Sequence, residues 1–554
     1  MTKTLSYPTQ PSIQPTEEER RSLGRVLVDL FEKNPLANGL FILAIIIGFF
    51  HGWLKVHFRS PLTTFAFDIP IVISMLITIL TRGKDALIPN SPIGNALKFH
   101  SLMCVLYIPI SILVFDISPL IVMAAFRGWC IIPMVFVVGF HLATSIRQVE
   151  FYMWLIVILG AVTAVYGIFQ SEEEVRRLML LDPEMEFRFR NQFYADKGVS
   201  QFRRFSTFVS SAAFATQLSY SMAFAFSRLT VKTCPKNEYL LLSGLSGVMC
   251  YALILTGARS ALILLVIAVA FALWYRRGGV RMLLLPLIII VGWRLGVSTT
   301  KGMASARYAS LLTDNTIWQR VWIVVGPSIT EMFAYPFGTG LGSSSHGVPM
   351  FLVTRLKMVR PIDGDLGHIV VDMGLLGLLS IGNLFFEGCK ASMKWMSQLR
   401  DTSISVVSLP AGIFFLLSVI TFPIGTPFLG VPYGALLWFF FGALSRLFTD
   451  YKVALASGMT ESVSFREKFT SFIATPKIRS LYSESEATGS VSGAPYPVVD
   501  NSVVGRSSPP LPRISRPINY NSAPTVSPMA QQSSILGRKR FLFRKNNSKS
   551  RGQS

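Results

Sequence analysis

The stretch YALILTGARSALILLVIAVAFALW, residues 251–274, shows most directly what kind of protein this is. Two apolar runs meet at TGARS, so Arg259 stands between segments that would each lie in hydrocarbon. A charged side chain at the centre of a spanning helix costs roughly 2.5–3.5 kcal/mol on insertion scales. Something must offset this cost at Arg259, and its identity is the functional question.

The rest of the chain repeats the apolar character of this stretch. Of its 554 residues, 51% are hydrophobic and only 15% are charged. Apolar runs recur at the length of about 20 residues that crosses a hydrocarbon core of about 30 Å as a helix. The first 25 residues contain no apolar core, so we expect no cleavable signal peptide, and the first span would act as its own signal. The sequence predicts an all-α, polytopic integral membrane protein.

The lengths of the runs predict about twelve transmembrane helices. A large extracytoplasmic loop separates the ninth and tenth of them. The predicted organisation is a cytoplasmic N-terminal segment (1–35), spans one to nine (36–298), the extracytoplasmic loop (299–365), spans ten to twelve (366–448) and a disordered, basic cytoplasmic tail (449–554).

Lysine and arginine in the short connections orient the chain. The connections that would be cytoplasmic, such as YRRGGVR and KASMKWMSQLR, are all basic, which places both termini in the cytoplasm. The net charge of +22 comes largely from these loops and from the tail, so it does not indicate nucleic-acid binding. The tail ends GRKRFLFRKNNSKSR, a composition that predicts adsorption to anionic lipid.

Several chemistries have no motif in this chain. We find no phosphate-binding P-loop, no paired-cysteine site and no histidine pair at metal spacing, and we predict neither a metal nor a cofactor. The stretch GTGLGSSSHG, 338–347, is glycine-rich but does not lie in a βαβ unit, and we expect it to be a flexible outer loop.

Four arginines would lie at the same outer level of the membrane. A guanidinium is always charged and its fork matches phosphate oxygens two at a time, so such a cluster predicts a site for a lipid-linked pyrophosphate. Arg259 would also stabilise charge on a departing pyrophosphate. The alternatives are snorkelling of Arg259 at its helix end and long outer segments that escape the positive-inside bias. The candidate residues are Arg203, Arg204, Arg259 and Arg320.

Two further charges fall inside predicted spans. Asp68 lies within the second span and Arg127 within the fourth, at similar depth. A mutual ion pair would make both tolerable, and the alternative is a role in the substrate site.

Four stretches, in this order and spacing, resemble the superfamily of O-antigen ligases and polysaccharide polymerases. Ser206 stands where that family has glycine in its entry to a span, and the tail after about residue 450 has no counterpart in the pattern. The stretches are RRFSTFVSSAAFATQLSYSMAFAF (203–226), LTGARSALILLVIA (255–268), WQRVWIVVGPSITEMFAYPFGTGLGSSS (318–345) and DGDLGHIVVDMGLLGLL (363–379).

The resemblance implies a metal-independent glycosyltransferase of the bacterial inner membrane. Such a protein takes a glycan from undecaprenyl pyrophosphate at the outer face and passes it to another glycan. The resemblance implies that Arg204, Arg259 and Arg320 bind the pyrophosphate. A flippase and a chain-length regulator are implied as partners.

One departure from the pattern favours a polymerase. Ligases carry a histidine eleven residues before the glycine matched by Gly374, and Asp363 occupies that position here. Asp363 or His368 would be the general base that takes the proton of the attacking sugar hydroxyl. The alternatives are a helix cap for the aspartate and a polar helix end for the histidine. A ligase acting on lipid A core or protein remains the second hypothesis, and a lipid or polysaccharide transporter the third, although the chain lacks the internal repeats of many transporters.

Overall fold

The structure is a computed structural model. It describes residues 34–58, 63, 65–82, 88–181, 193–196, 199–231, 234–276, 283–300, 316–344, 364–400 and 402–456. The predicted N-terminal segment, apart from its last two residues, lies outside the described residues. So do Asp363 and the tail from residue 457 onward.

Sixteen α-helices follow one another through the described part of the chain. The first half contains α1 (Pro35–Phe49), α2 (His51–His57), α3 (Asp68–Arg82), α4 (Pro92–Leu113), α5 (Pro119–Phe126), α6 (Ile132–Leu142), α7 (Ile146–Phe169) and α8 (Glu172–Leu181). The second half contains α9 (Ser211–Leu229), α10 (Lys236–Leu255), α11 (Arg259–Arg276), α12 (Leu284–Thr299), α13 (Thr316–Ala334), α14 (Gly364–Gln398), α15 (Ser405–Thr421) and α16 (Tyr433–Ala456).

Two features interrupt this helical pattern. A π-helical turn, Arg127–Ile131, joins α5 to α6 without a break. A small antiparallel hairpin, β1 (Phe193–Asp196) with β2 (Val199–Phe202), pairs Phe193 with Phe202 before α9 begins. The hairpin is a departure from a purely helical expectation, and it lies between α8 and α9.

The protein is a helical membrane protein. Among the described residues, five helical segments are long and apolar enough to span a bilayer, and a sixth is added if the bent pair α1 and α2 counts as one span. A helix overlaps each of the twelve predicted spans, but several are shorter than this criterion requires. The count of twelve therefore stays a prediction. The five segments are Pro92–Leu113, Pro119–Leu142, Ile146–Phe169, Lys236–Leu255 and Gly364–Gln398.

Serine residues begin three of the long helices. Ser91 accepts a hydrogen bond from the N–H of Gly94, Ser145 from that of Gln148 and Ser210 from that of Ala213. Each side chain thereby satisfies one of the N–H groups that a helix leaves without a partner in its first turn. A polar residue before an apolar run thus marks the start of these helices.

The closest helix pair in the core is formed by α6 and α16. A Cβ atom on Gly139 would lie 1.9 Å from the carbonyl oxygen of Phe439, and one on Gly442 would lie 1.9 Å from that of Phe136. Small residues at such crossings let two backbones approach closely, which strengthens van der Waals packing where lipid offers no hydrophobic drive. This pair joins α16, the last described helix, to α6.

Candidate functional site

The segment 203–210, between the hairpin and α9, is packed among the ends of several helices. The N–H of Arg204 donates to the carbonyl of Leu255 at the end of α10 (3.4 Å). On the other side, the Trp53 N–H donates to the carbonyl of Thr207 (2.9 Å), and the Thr207 hydroxyl donates to that of Phe49 (2.5 Å). The bend of 70° between α1 and α2 frees the Phe49 carbonyl for this contact.

Gln170 and Ser206 fix the conformation of this segment. The Gln170 side-chain oxygen accepts from the N–H groups of both Phe205 (3.1 Å) and Ser206 (3.0 Å). Ser206 has a φ of 54°, and its hydroxyl donates to the carbonyl of Thr163 (2.6 Å). Glycine enters this left-handed region without steric cost. A serine in this region pays a steric cost, and at Ser206, where the resembled family has glycine, the hydrogen bonds to Gln170 and Thr163 offset it.

Arg203 and Arg204 both contact carbonyl groups at helix C-termini. Arg203 Nε donates to the carbonyl of Thr256 (3.1 Å), just after α10. Arg204 Nη1 donates to the carbonyls of Gly167 (3.4 Å) and Gln170, at the end of α7. Cations are favourable there because helix C-termini carry partial negative charge. Both side chains are half-buried, and burial lowers the pKa of Arg204.

Arg259 is the first residue of α11 and follows a tight turn. Gly257 has a φ of 60°, and the Thr256 hydroxyl oxygen accepts from the Ala258 N–H (3.0 Å). The first N–H groups of a helix carry partial positive charge, so this helix start and the half-buried Arg259 present positive potential together. Arg203 contacts Thr256, three residues before Arg259.

The structure thus brings three of the four predicted arginines to one place, which we call the arginine junction: Arg203, Arg204 and Arg259. Arg320, the fourth, lies in α13, and its side chain is outside the described part of the chain. Carbonyl groups of the protein itself accept hydrogen bonds from the guanidiniums of Arg203 and Arg204, which the sequence did not indicate.

Asp68 and Arg127 form an ion pair. Arg127 Nη1 lies 3.0 Å from Asp68 Oδ2, and the two side chains are 15% and 7% exposed. The Arg127 guanidinium also lies 6.0 Å from the ring centroid of Phe65. The arginine begins the π-helical turn. The pair compensates two charges inside the bundle, as the first of the two sequence hypotheses expects.

The start of α14 is fastened to the turn between α15 and α16. Asp365 is fully buried; its N–H donates to the Gly425 carbonyl (2.7 Å), and its Oδ2 accepts from the Phe428 N–H (3.1 Å). His368 lies one turn further along α14 and is 7% exposed. Asp363 precedes this helix, outside the described residues. Of the two predicted bases, the structure therefore places only His368.

A buried carboxylate in α14 was missed by the sequence reasoning. Asp372 is fully buried; it accepts from Trp129 Nε1 (3.0 Å) and from the Ser344 N–H (3.0 Å). Trp129 in turn accepts through its carbonyl from His100 Nε2 (2.9 Å), while His100 Nδ1 contacts the Ser380 hydroxyl (2.9 Å). The signal was present, since an aspartate inside the run HIVVDMGLLGLL is itself a mark of an intramembrane site or structural polar network.

The expectation of a flexible outer loop at 338–347 is wrong for the described residues 338–344. Gly338, Gly340 and Gly342 are buried and have φ values of 71°, 98° and 92°. The N–H of Thr339 donates to the carbonyl of Val371 (2.7 Å). These glycines serve a tightly turned backbone inside the protein, because a side chain at any of them would meet neighbouring atoms.

The described residues bring guanidinium groups to the start of α11 and place an imidazole, that of His368, in the first turns of α14. Within the described ranges no cluster of three or more His, Cys, Asp or Glu residues is arranged to hold a metal ion. Comparison with protein-family models gives no match, and comparison with curated proteins gives none either.

Proposed function

We propose that this protein is a polymerase that joins oligosaccharide repeat units carried on undecaprenyl pyrophosphate, at the outer face of a bacterial inner membrane. The observation that supports it best is the arginine junction. Its three guanidiniums come from segments 56 residues apart in the chain, between Arg203 and Arg259. A diphosphate at this junction would supply the negative charge that offsets the cost of placing cations at the membrane.

The junction and His368 lie at the same end of the helix bundle. A Cβ atom on Gly48 would lie 2.6 Å from Cβ of Pro432, so the α1–α2 bend reaches the 422–432 turn. That turn binds the start of α14 through Asp365. The arginine junction, the turn and the first residues of α14 are therefore linked by packing contacts, and we propose that donor and acceptor meet at this end of the bundle.

The contacts suggest different roles for the three arginines. Arg204 is held by the end of α7, so we assign it to positioning the 203–210 segment. Arg259, at the positive end of α11, and Arg203, at the carbonyl of Thr256, are assigned to the diphosphate. Together they offer bidentate hydrogen bonds and helix N–H groups to the phosphate oxygens.

The proposed reaction is a glycosyl transfer in which the carrier pyrophosphate is the leaving group. A hydroxyl of the acceptor sugar attacks the anomeric carbon of the donor, and the bond from that carbon to the pyrophosphate oxygen breaks. Its electron pair leaves with the pyrophosphate, whose growing charge Arg259 and Arg203 stabilise. The hydroxyl proton passes to His368 or to Asp363, the two candidate bases. We assign Arg127 no role in this reaction, because its guanidinium forms an ion pair with Asp68.

The test replaces Arg259 with alanine and with lysine. We expect both variants to bind undecaprenyl pyrophosphate at least tenfold more weakly in lipid nanodiscs, because lysine keeps the charge but not the bidentate fork. Neither should support long polymer in cells that lack the native gene. The matched control is Arg177→Ala, an exposed arginine of α8 on the same predicted face. Native polymer length in a well-folded Arg259→Ala protein would overturn the proposal.

The ligase hypothesis predicts a different defect. Loss of a polymerase leaves single repeat units on the carrier, whereas loss of a ligase leaves finished polymer unattached. Electrophoresis of the glycans from a deletion strain therefore separates the two. Transport of a lipid-linked glycan across proteoliposomes without glycan transfer would instead support the transporter hypothesis.

A further inference from the structure

Helix α13 has an unusual surface for a segment predicted to lie in an extracytoplasmic loop. Three of its large apolar side chains are exposed: Trp322 by 66%, Ile329 by 41% and Phe333 by 78%. They are spaced by seven and four residues, so they share one side of the helix. Ile323, 72% exposed, widens this stripe. An aqueous surface would disfavour such an apolar stripe.

The opposite side of α13 packs against the start of α14. Val324 and Ser328 are 3% and 1% exposed. A Cβ atom built on Gly364, the first residue of α14, would lie 3.2 Å from Val324 Cγ1. The apolar stripe therefore points away from the protein, and the inward side is already occupied.

Two contacts show that α13 runs parallel to the first part of α14, in the same direction. Val324 lies beside Gly364, and the Pro336 carbonyl accepts from the Leu375 N–H (2.8 Å). From Val324 to Pro336 the first segment advances by twelve residues, while α14 advances by eleven, from Gly364 to Leu375. At 1.5 Å per helical residue, this is a length of about 17 Å along α14. This is about half of a hydrocarbon core of about 30 Å.

The chain then turns near the break in α14, and at Gly364 it is again beside Val324 of α13. Gly338 approaches the break in α14, where a Cβ atom on Gly374 would lie 2.3 Å from the Gly338 nitrogen. Three residues later the Leu341 N–H donates to the hydroxyl of Ser111 near the end of α4 (2.8 Å). A Cβ atom on Gly340 would touch Ile117, in the turn between α4 and α5.

We propose that α13 and residues 335–344 form a re-entrant helix and loop whose apolar stripe lies against the acyl chains of the outer leaflet. Lipid is the occupant because the stripe continues the exposed apolar surface of a helix that is itself long and apolar enough to span the membrane. Leu375, whose N–H binds Pro336, is 44% exposed, and Leu379, one turn further, is 58% exposed. Residues 316–344 of the predicted extracytoplasmic loop are thus embedded. This inference does not depend on glycan transfer.

The test measures the surroundings of single nitroxide labels on the full chain in lipid nanodiscs, in a background without native cysteines. Labels at Ile329 and Phe333 are compared with Leu379 as the lipid control and with Glu173, exposed on α8, as the water control. We expect the ratio of oxygen to water-soluble nickel accessibility to match that at Leu379 and to exceed that at Glu173 severalfold. A ratio like that of Glu173, or low accessibility to both reagents, would overturn the inference.

A second measurement avoids the cysteine-free background. A photoreactive benzoylphenylalanine at Phe333 in the otherwise native chain should cross-link to phospholipid on illumination, as the same residue at Leu379 should. Cross-linking to a second copy of the chain or to another protein, without lipid adducts, would show that protein covers the stripe and would refute the proposal.

Discussion

Arg127 offers the sharpest test of how this bundle tolerates charge. We predict that Arg127→Met lowers the free energy of unfolding by about 3–5 kcal/mol, the usual cost of removing one partner of a buried ion pair. The Asp68 side chain is 7% exposed and its Oδ1 has no hydrogen-bond partner among the described residues. The variant would thus leave a carboxylate largely without compensation.

The magnitude follows from the geometry. Two unit charges about 4 Å apart interact by about 4 kcal/mol at an effective dielectric constant of about 20. Lys55 also acts on Asp68 electrostatically, and Arg127 donates a hydrogen bond to it. The double variant Asp68→Asn with Arg127→Met removes both charges, so it should recover most of the loss.

The assay is unfolding by sodium dodecyl sulfate in lipid–detergent micelles, followed by circular dichroism. The matched control is Arg294→Met, which replaces an exposed arginine of α12. A coupling energy above about 1 kcal/mol in the double-mutant cycle would support the pair. If Arg127→Met costs no more than the control, or the double variant is no more stable than the single one, the reasoning fails.

Three further substitutions test the packing around the site. Gly374→Ala should lower the free energy of unfolding by more than about 2 kcal/mol, because Gly374 has φ 60° and ψ −148° and a Cβ atom there would meet Pro336 and Gly338. The control is Gly382→Ala, where a Cβ atom would meet open space. Equal thermal midpoints for the two variants would contradict the expectation. Trp129→Phe removes a donor to buried Asp372 and should cost about 1–3 kcal/mol, measured by the same unfolding assay. Gln170→Ala removes the acceptor of two N–H groups in the 203–210 segment, so it should weaken undecaprenyl pyrophosphate binding as well as stability; unchanged affinity would separate this segment from the site.

The sequence by itself determined the class of the protein and much of its helical layout. Apolar runs of spanning length are a local property, since each run must satisfy its own backbone hydrogen bonds in lipid. Serine caps are local in the same sense, as at Ser91 and Ser210. The pairing of Asp68 with Arg127 was accessible too, because two opposite charges at similar depth in an apolar medium have few other ways to be compensated.

Only the tertiary structure decided which residues meet. Arg203 reaches the Thr256 carbonyl across 53 residues, and Asp372 meets Trp129 across 243, contacts that depend on several helices packing at once. The same holds for α13, whose composition is compatible with a loop helix until its contacts with Gly364 and Leu375 place it alongside α14. The hydropathy of a segment predicts only whether that segment spans the membrane, whereas a site requires side chains from distant segments at fixed distances. For that reason the residue types of the site could be predicted and their arrangement could not.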